Sequence, residues 1–225
     1  MGQVKAHHPL PQKKNRSVGD RTAAIGTLSE IITGMKSEIT PTTEPLLELF
    51  YQALSDEESE VQCNAAFAAG LLVEHSKKDL SPQYLHLLSA LRPLFEVPPG
   101  SHLSKWKSHD NAVGAVSRLI MRNTAAVPLD QVLPVFINAL PLRHDFLENP
   151  PAFKAIFHLF GTNPQALHPY SDRLLEVFRA VLEPSEVDQI NDETRVGLIE
   201  LVVALNKEAP DKVQAAGLGQ FIPGA

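Results

Sequence analysis

The stretch CNAAFAAGLL, residues 63–72, places a polar amide at the head of a small and apolar run, and DNAVGAVSRLI, residues 110–120, does the same 47 residues later. A polar residue recurring at a fixed register of an apolar helix is the mark of a repeat. Aligned on these asparagines, the chain reads Thr22-Ala-Ala-Ile, Asn64-Ala-Ala-Phe, Asn111-Ala-Val-Gly, Lys154-Ala-Ile-Phe and Arg195-Val-Gly-Leu, at successive spacings of 42, 47, 43 and 41 residues. That period matches the roughly 40–47 residues of two-helix HEAT or armadillo units, which bury a continuous core by stacking on one another. Small residues after the anchors, such as Ala65, Ala112, Gly114 and Ala155, allow neighbouring helices to approach closely. The long interval is explained by EVPPGSHLSKWKSH, residues 96–109, read as a loop insertion before Asn111.

Outward from these anchors the periodicity is helical, with apolar segments near 20–36, 44–54, 60–74, 82–95, 110–122, 129–140, 152–160, 170–182, 193–206 and 211–217. Between them lie Pro41, Pro82, Pro98, Pro99, Gly100, Pro128, Pro150, Pro151, Pro164, Pro184 and Pro210. Several of these prolines suit a first helical turn, where the missing N–H is not needed. Ser59 followed by Gln62 predicts a capping box, and Asp110 is placed as an acid at a helix start. The expected fold is an all-α solenoid of about five HEAT repeats, each an antiparallel helix pair, over residues 17–225. A closed helical bundle is the rival, but a bundle does not require a recurring register. Residues 1–16, with Lys13, Lys14 and Arg16, read as a flexible leader. The ragged ends of the array suggest a piece of something longer.

Composition narrows the function. A formal charge of −6 and a pI near 5.8 argue against direct nucleic-acid or anionic-membrane binding and favour basic partners. A single cysteine, Cys63, excludes an internal disulfide, and no apolar run reaches the length of a membrane span. The nine histidines show no metal spacing: His7 and His8 fall in the leader, and His102 and His109 in the predicted loop. His144 and Asp145 lack an accompanying nucleophile, and phosphate-binding glycine loops are absent. No enzyme, cofactor or metal is expected. The acids of residues 56–60 read as a solvated helix start, and Lys105, Trp106 and Lys107 either as a small recognition loop or, in preference, as a lone tryptophan packing across a helix seam.

The remaining candidates are polar. Asn64 and Asn111 share a register on successive second helices, where they either bond local backbone or form a ladder able to hold an extended basic peptide. The turn PLRHDFLEN, residues 141–149, supplies Asp145, Glu148 and Asn149, as a solvated turn or as carboxylates flanking a lysine.

In this order and spacing, SVGDRTAAIGTLSEII, SEVQCNAAFAAGLL, DNAVGAVSRLI and LPLRHDFLEN resemble the C-terminal HEAT repeats of importin-β-type nuclear import receptors. The resemblance implies a right-handed superhelix that shuttles between cytoplasm and nucleus. It implies basic cargo such as histone tails and ribosomal proteins, release by the GTPase Ran in the full-length receptor, and nucleoporins as a further partner class. It also implies cargo-peptide contacts at Asn111, Asn64, Asp145, Glu148 and Asn149. The family turn reads like P-L-K-E-D-F-E-E-N; here Leu147 replaces the first acid of its pair and Arg143-His144 stands for Lys-Glu, so the turn is less acidic. A structural scaffold segment is the alternative, and a HEAT-repeat enzyme a distant third.

Overall fold

In a computed structural model, residues 16–183, 185 and 187–223 are described. The predicted leader lies outside them but for its last residue, as do His7, His8 and Pro184. The helices are α1 (Val18–Met35), α2 (Thr43–Leu54), α3 (Ser59–His75), α4 (Tyr84–Leu91), α5 (Leu103–Arg122), α6 (Leu129–Asn138), α7 (Asn149–Thr162), α8 (Pro164–Leu167), α9 (Ser171–Leu182), α10 (Asp192–Glu208) and α11 (Pro210–Ala215). No strand occurs among the described residues. Thr22, Asn64, Asn111, Lys154 and Arg195 fall on α1, α3, α5, α7 and α10, and these helices pack in that order, α1 on α3, α3 on α5, α5 on α7 and α7 on α10. The fold is an all-α solenoid.

The core follows the row. Ile25 and Ile32 of α1, Ala65, Ala69 and Leu72 of α3, Ala112, Val116 and Leu119 of α5, Phe153 and Ile156 of α7, and Leu198 and Val202 of α10 are all buried. Phe50, Leu87, Phe136 and Phe178 close the other side from α2, α4, α6 and α9. Burying each such side chain contributes about 1.5–3 kcal/mol relative to exposure. Gly70 lets α3 and α5 meet at backbone distance, since a Cβ there would stand 3.0 Å from the Ala115 Cα.

Three local expectations are corrected. Helix α5 starts at Leu103, capped by the His102 ring that accepts from the Ser104 N–H, so Lys105, Trp106, Lys107 and His109 are helical and Asp110 lies in mid-helix. The second half of the predicted insertion loop, residues 103–109, is two further turns of α5. Ser59 makes no capping box: the residue before α3 is Glu58, and the Gln62 amide donates to the Asp56 carbonyl at 2.8 Å. The capping box sits instead at Ser17, whose hydroxyl accepts from the Asp20 N–H while the Asp20 carboxylate accepts from the Ser17 N–H.

Candidate functional site

Residues 108–120 of α5 are buried without interruption, although they include Ser108, His109, Asp110, Asn111, Ser117 and Arg118. Each of these needs a partner, because an unpaired polar group away from water is costly. The partners come from the flanking repeats.

Asp110 is fully buried, and its Oδ2 accepts from three successive backbone N–H groups, those of Arg143, His144 and Asp145, at 3.1, 2.8 and 2.9 Å. Its other oxygen lies 3.2 Å from the His109 Nδ1. Burial alone would raise this carboxyl, but the His109 ring and the N–H groups of Asp145 and His144 together hold it below the usual carboxylate value. The turn between α6 and α7 is thereby folded down onto α5. Trp106, one turn before Asp110, packs beneath Arg143, whose guanidinium carbon stands 4.1 Å from the indole centroid.

The Asn111 amide nitrogen donates to the Lys107 carbonyl at 3.0 Å, to Asp145 Oδ2 at 2.9 Å and to the Cys63 sulfur at 3.3 Å. Two hydrogens thus serve three acceptors on its own helix, the following turn and the preceding helix. Asn64 reaches backwards, donating at 3.0 Å to the carbonyl of Thr22, its register partner on α1. The Cys63 thiol is pushed up to about 12 by burial, with Asp145 adding to the effect, so it is a neutral thiol at ordinary pH and no nucleophile.

Glu148 was expected to face a cargo lysine. It is 1% exposed and both of its oxygens are held by Arg118 of α5, Oε1 at 3.2 Å from Nη2 and Oε2 in contact with Nη1. Arg118 also donates through Nε to Glu74 of α3 at 2.8 Å, so one guanidinium spans three consecutive repeats. Burial pushes the Glu148 carboxyl up and Arg118 opposes this. Gly114 makes the arrangement sterically allowed: a Cβ there would fall 1.3 Å from Glu148 Oε2 and 2.9 Å from Arg118 Nη1. Asn149 is also fully buried and donates to the Gln189 carbonyl at 2.7 Å, in the turn before α10. At the other end Arg21 of α1 grips Asp56, in the turn before α3, with two bonds of 2.8 and 2.9 Å.

The structure therefore does bring together Asn111 and Asp145, and sets Glu148 beside them. It separates Asn64, which belongs to the α1–α3 seam, and Asn149, which belongs to the α7–α10 seam. Asp145 alone of the turn candidates is not fully buried. Sequence reasoning missed Arg118 and the backbone-binding role of Asp110. The available signal was a charged residue inside AVGAVSRLI, one helical turn after a glycine and hence on the same face.

The other concavity of note is an apolar groove between α4 and α6, lined by Leu85, Leu88, Phe95, Val132 and Phe136. Among the described residues no group of histidine, cysteine and acidic side chains could hold a metal ion, and no helix is long and apolar enough to cross a membrane.

A row of stacked helix pairs, joined by buried polar bonds between neighbouring units, defines the chain as a helical-repeat protein. No protein-family model matches it. It is 39% identical over 188 residues to "Probable importin subunit beta-4" of Schizosaccharomyces pombe, an alignment covering 84% of this chain and 17% of that protein. It is 28% identical over 204 residues to "Importin-4" of Homo sapiens, and 27% identical over 208 residues to "Importin-4" of Mus musculus, each over 91% of this chain and 18% of the relative. The chain belongs to the importin-β family, and spans less than a fifth of the length of the curated relatives it matches.

Proposed function

We propose that the chain is an arc of a nuclear import receptor, from its C-terminal part, and that the ladder on its second helices is a scaffold. The whole receptor would shuttle between cytoplasm and nucleus, carry lysine-rich cargo of the histone or ribosomal-protein class, answer to Ran and meet nucleoporins. This arc would hold the curvature that presents the cargo surface. Importin-β membership supports the receptor reading, which also fits a non-enzymatic role. One observation carries the scaffold reading: the acid best placed by sequence to receive a lysine, Glu148, is sealed against Arg118. A cargo ammonium could reach it only by displacing a guanidinium that also holds Glu74.

A second reading, in which the arc itself grips a cargo lysine with Asn111 and Asp145, is favoured by the incomplete burial of Asp145 and the net charge of −6. Fluorescence anisotropy of a labelled lysine-rich histone-tail peptide, titrated with the chain at low and moderate salt, separates the two. The scaffold reading expects no saturable binding that Asp145→Asn weakens. Tight, salt-sensitive binding lost in a folded Asp145→Asn variant would instead make this arc a cargo site.

A further inference from the structure

The seams between repeats are not equivalent. Those of α1 with α3, α3 with α5 and α5 with α7 are broad, whereas α10 leans on α7 over a short stretch. The polar chemistry follows the same gradient. Among the described residues, three buried side-chain oxygens without a hydrogen-bond partner belong to α7, α10 and the turn leading into α10: Asn149 Oδ1, Gln189 Oε1 and Asn206 Oδ1. The rest of the described stack carries two, Thr22 Oγ1 on α1 and Tyr51 Oη on α2. Opening a seam lets water satisfy such atoms, so they favour the open state.

The ion pairs at that end are also of the weak kind. Lys154 of α7 meets Glu193 of α10 at 3.5 Å with side chains 53% and 76% exposed, and Lys212 of α11 meets Asp172 of α9 at 2.8 Å with 57% and 82% exposed. The Arg118 side chain, by contrast, is 9% exposed where it holds that of Glu148 at 2%, and those of Arg21 and Asp56, at the α1–α3 seam, are 28% and 16% exposed. Exposed pairs are screened by salt and buried ones far less.

We propose that α10 and α11 open as a unit about the α7 seam, in an equilibrium that salt shifts towards the open form, while α1 to α7 stay together as one body. The informative comparison is with α1, which likewise packs on a single helix of the row among the described residues but has a broad seam, a partly buried bidentate ion pair and the Asn64 bond to Thr22.

Hydrogen-exchange mass spectrometry of the 225-residue chain tests this. Amides of 192–208 should exchange about tenfold faster than those of 18–35. Raising sodium chloride from about 0.02 to 0.5 M should speed exchange across 192–215 further, with 59–75 and 103–122 unchanged. Lys154→Met with Lys212→Met, both at exposed positions, should reproduce the high-salt pattern at low salt and abolish the salt response. Exchange in α10 no faster than in α1 would overturn the proposal, as would a salt effect that rises in parallel across all helices.

Discussion

The Arg118 guanidinium is a charge buried at the centre of the stack, and its energetics depend on both partners being present. Removing one member of a buried pair strands the other, at a cost of about 3–5 kcal/mol, whereas replacing both by apolar groups is often neutral. Urea unfolding of Arg118→Met should therefore show a loss of about that size. Arg118→Met combined with Glu148→Met should recover most of it, leaving a coupling energy of at least about 2 kcal/mol in the double-mutant cycle. Additive losses would mean that the two side chains do not act as a pair. Asp110 makes a different prediction because its carboxyl is held below the usual value. The sign follows: a depressed folded pKa contributes stability above the unfolded pKa, near 3.9, and that contribution is lost as pH falls through the folded value. Asp110→Asn should cost about 3 kcal/mol at pH 7, since an amide cannot match three N–H bonds to a charge. The gap between variant and parent in urea melts should close progressively below about pH 4.

At the scale of the element, most helices were legible because prolines and the apolar period bracket them independently. Helix α5 was the exception. Its first two turns, LSKWKSH, carry no apolar stripe, because they cross beyond the edge of the core before reaching it, and the Pro98-Pro99-Gly100 punctuation before them suggested a loop. The asparagine registers were legible as positions but not as bonds. Asn64, Asn111 and Asn149 each donate to an adjacent repeat, and nothing local in the sequence reports a partner some 40 residues away. Helix α1 ends on Lys36, which has φ 49° and ψ −127° while its N–H caps the Ile32 carbonyl. A side chain is disfavoured in that region, whereas glycine is not. Lys36→Gly should accordingly raise stability by about 1 kcal/mol in thermal or urea melts. A loss would show that the Lys36 side chain contributes more than its backbone conformation costs.

For the whole molecule, a stack whose units touch only their neighbours has a stability that is a sum of unit and seam contributions, and unequal seams weaken cooperativity. Trp106, the chain's single tryptophan, sits on α5 in the most heavily tied part of the row. Its fluorescence reports the centre, while far-ultraviolet circular dichroism reports every helix. The two denaturation curves should not coincide, with the circular-dichroism signal falling first as α10 and α11 are lost. Superimposable curves would mean that the seams differ in breadth without differing in strength.

The three bonds that the turn gives to Asp110 Oδ2 come from main-chain N–H groups, which every residue except proline possesses. Arg143 and His144 are themselves exposed, the Arg143 guanidinium lying over Trp106. Natural variation can rewrite the outward chemistry of His144, reversing a charge or adding bulk, while the main-chain grip beneath stays the same; at Arg143 such a change also gives up the contact with Trp106. Diversification of the molecule's surface is thus uncoupled there from the survival of its architecture, provided that proline is kept out.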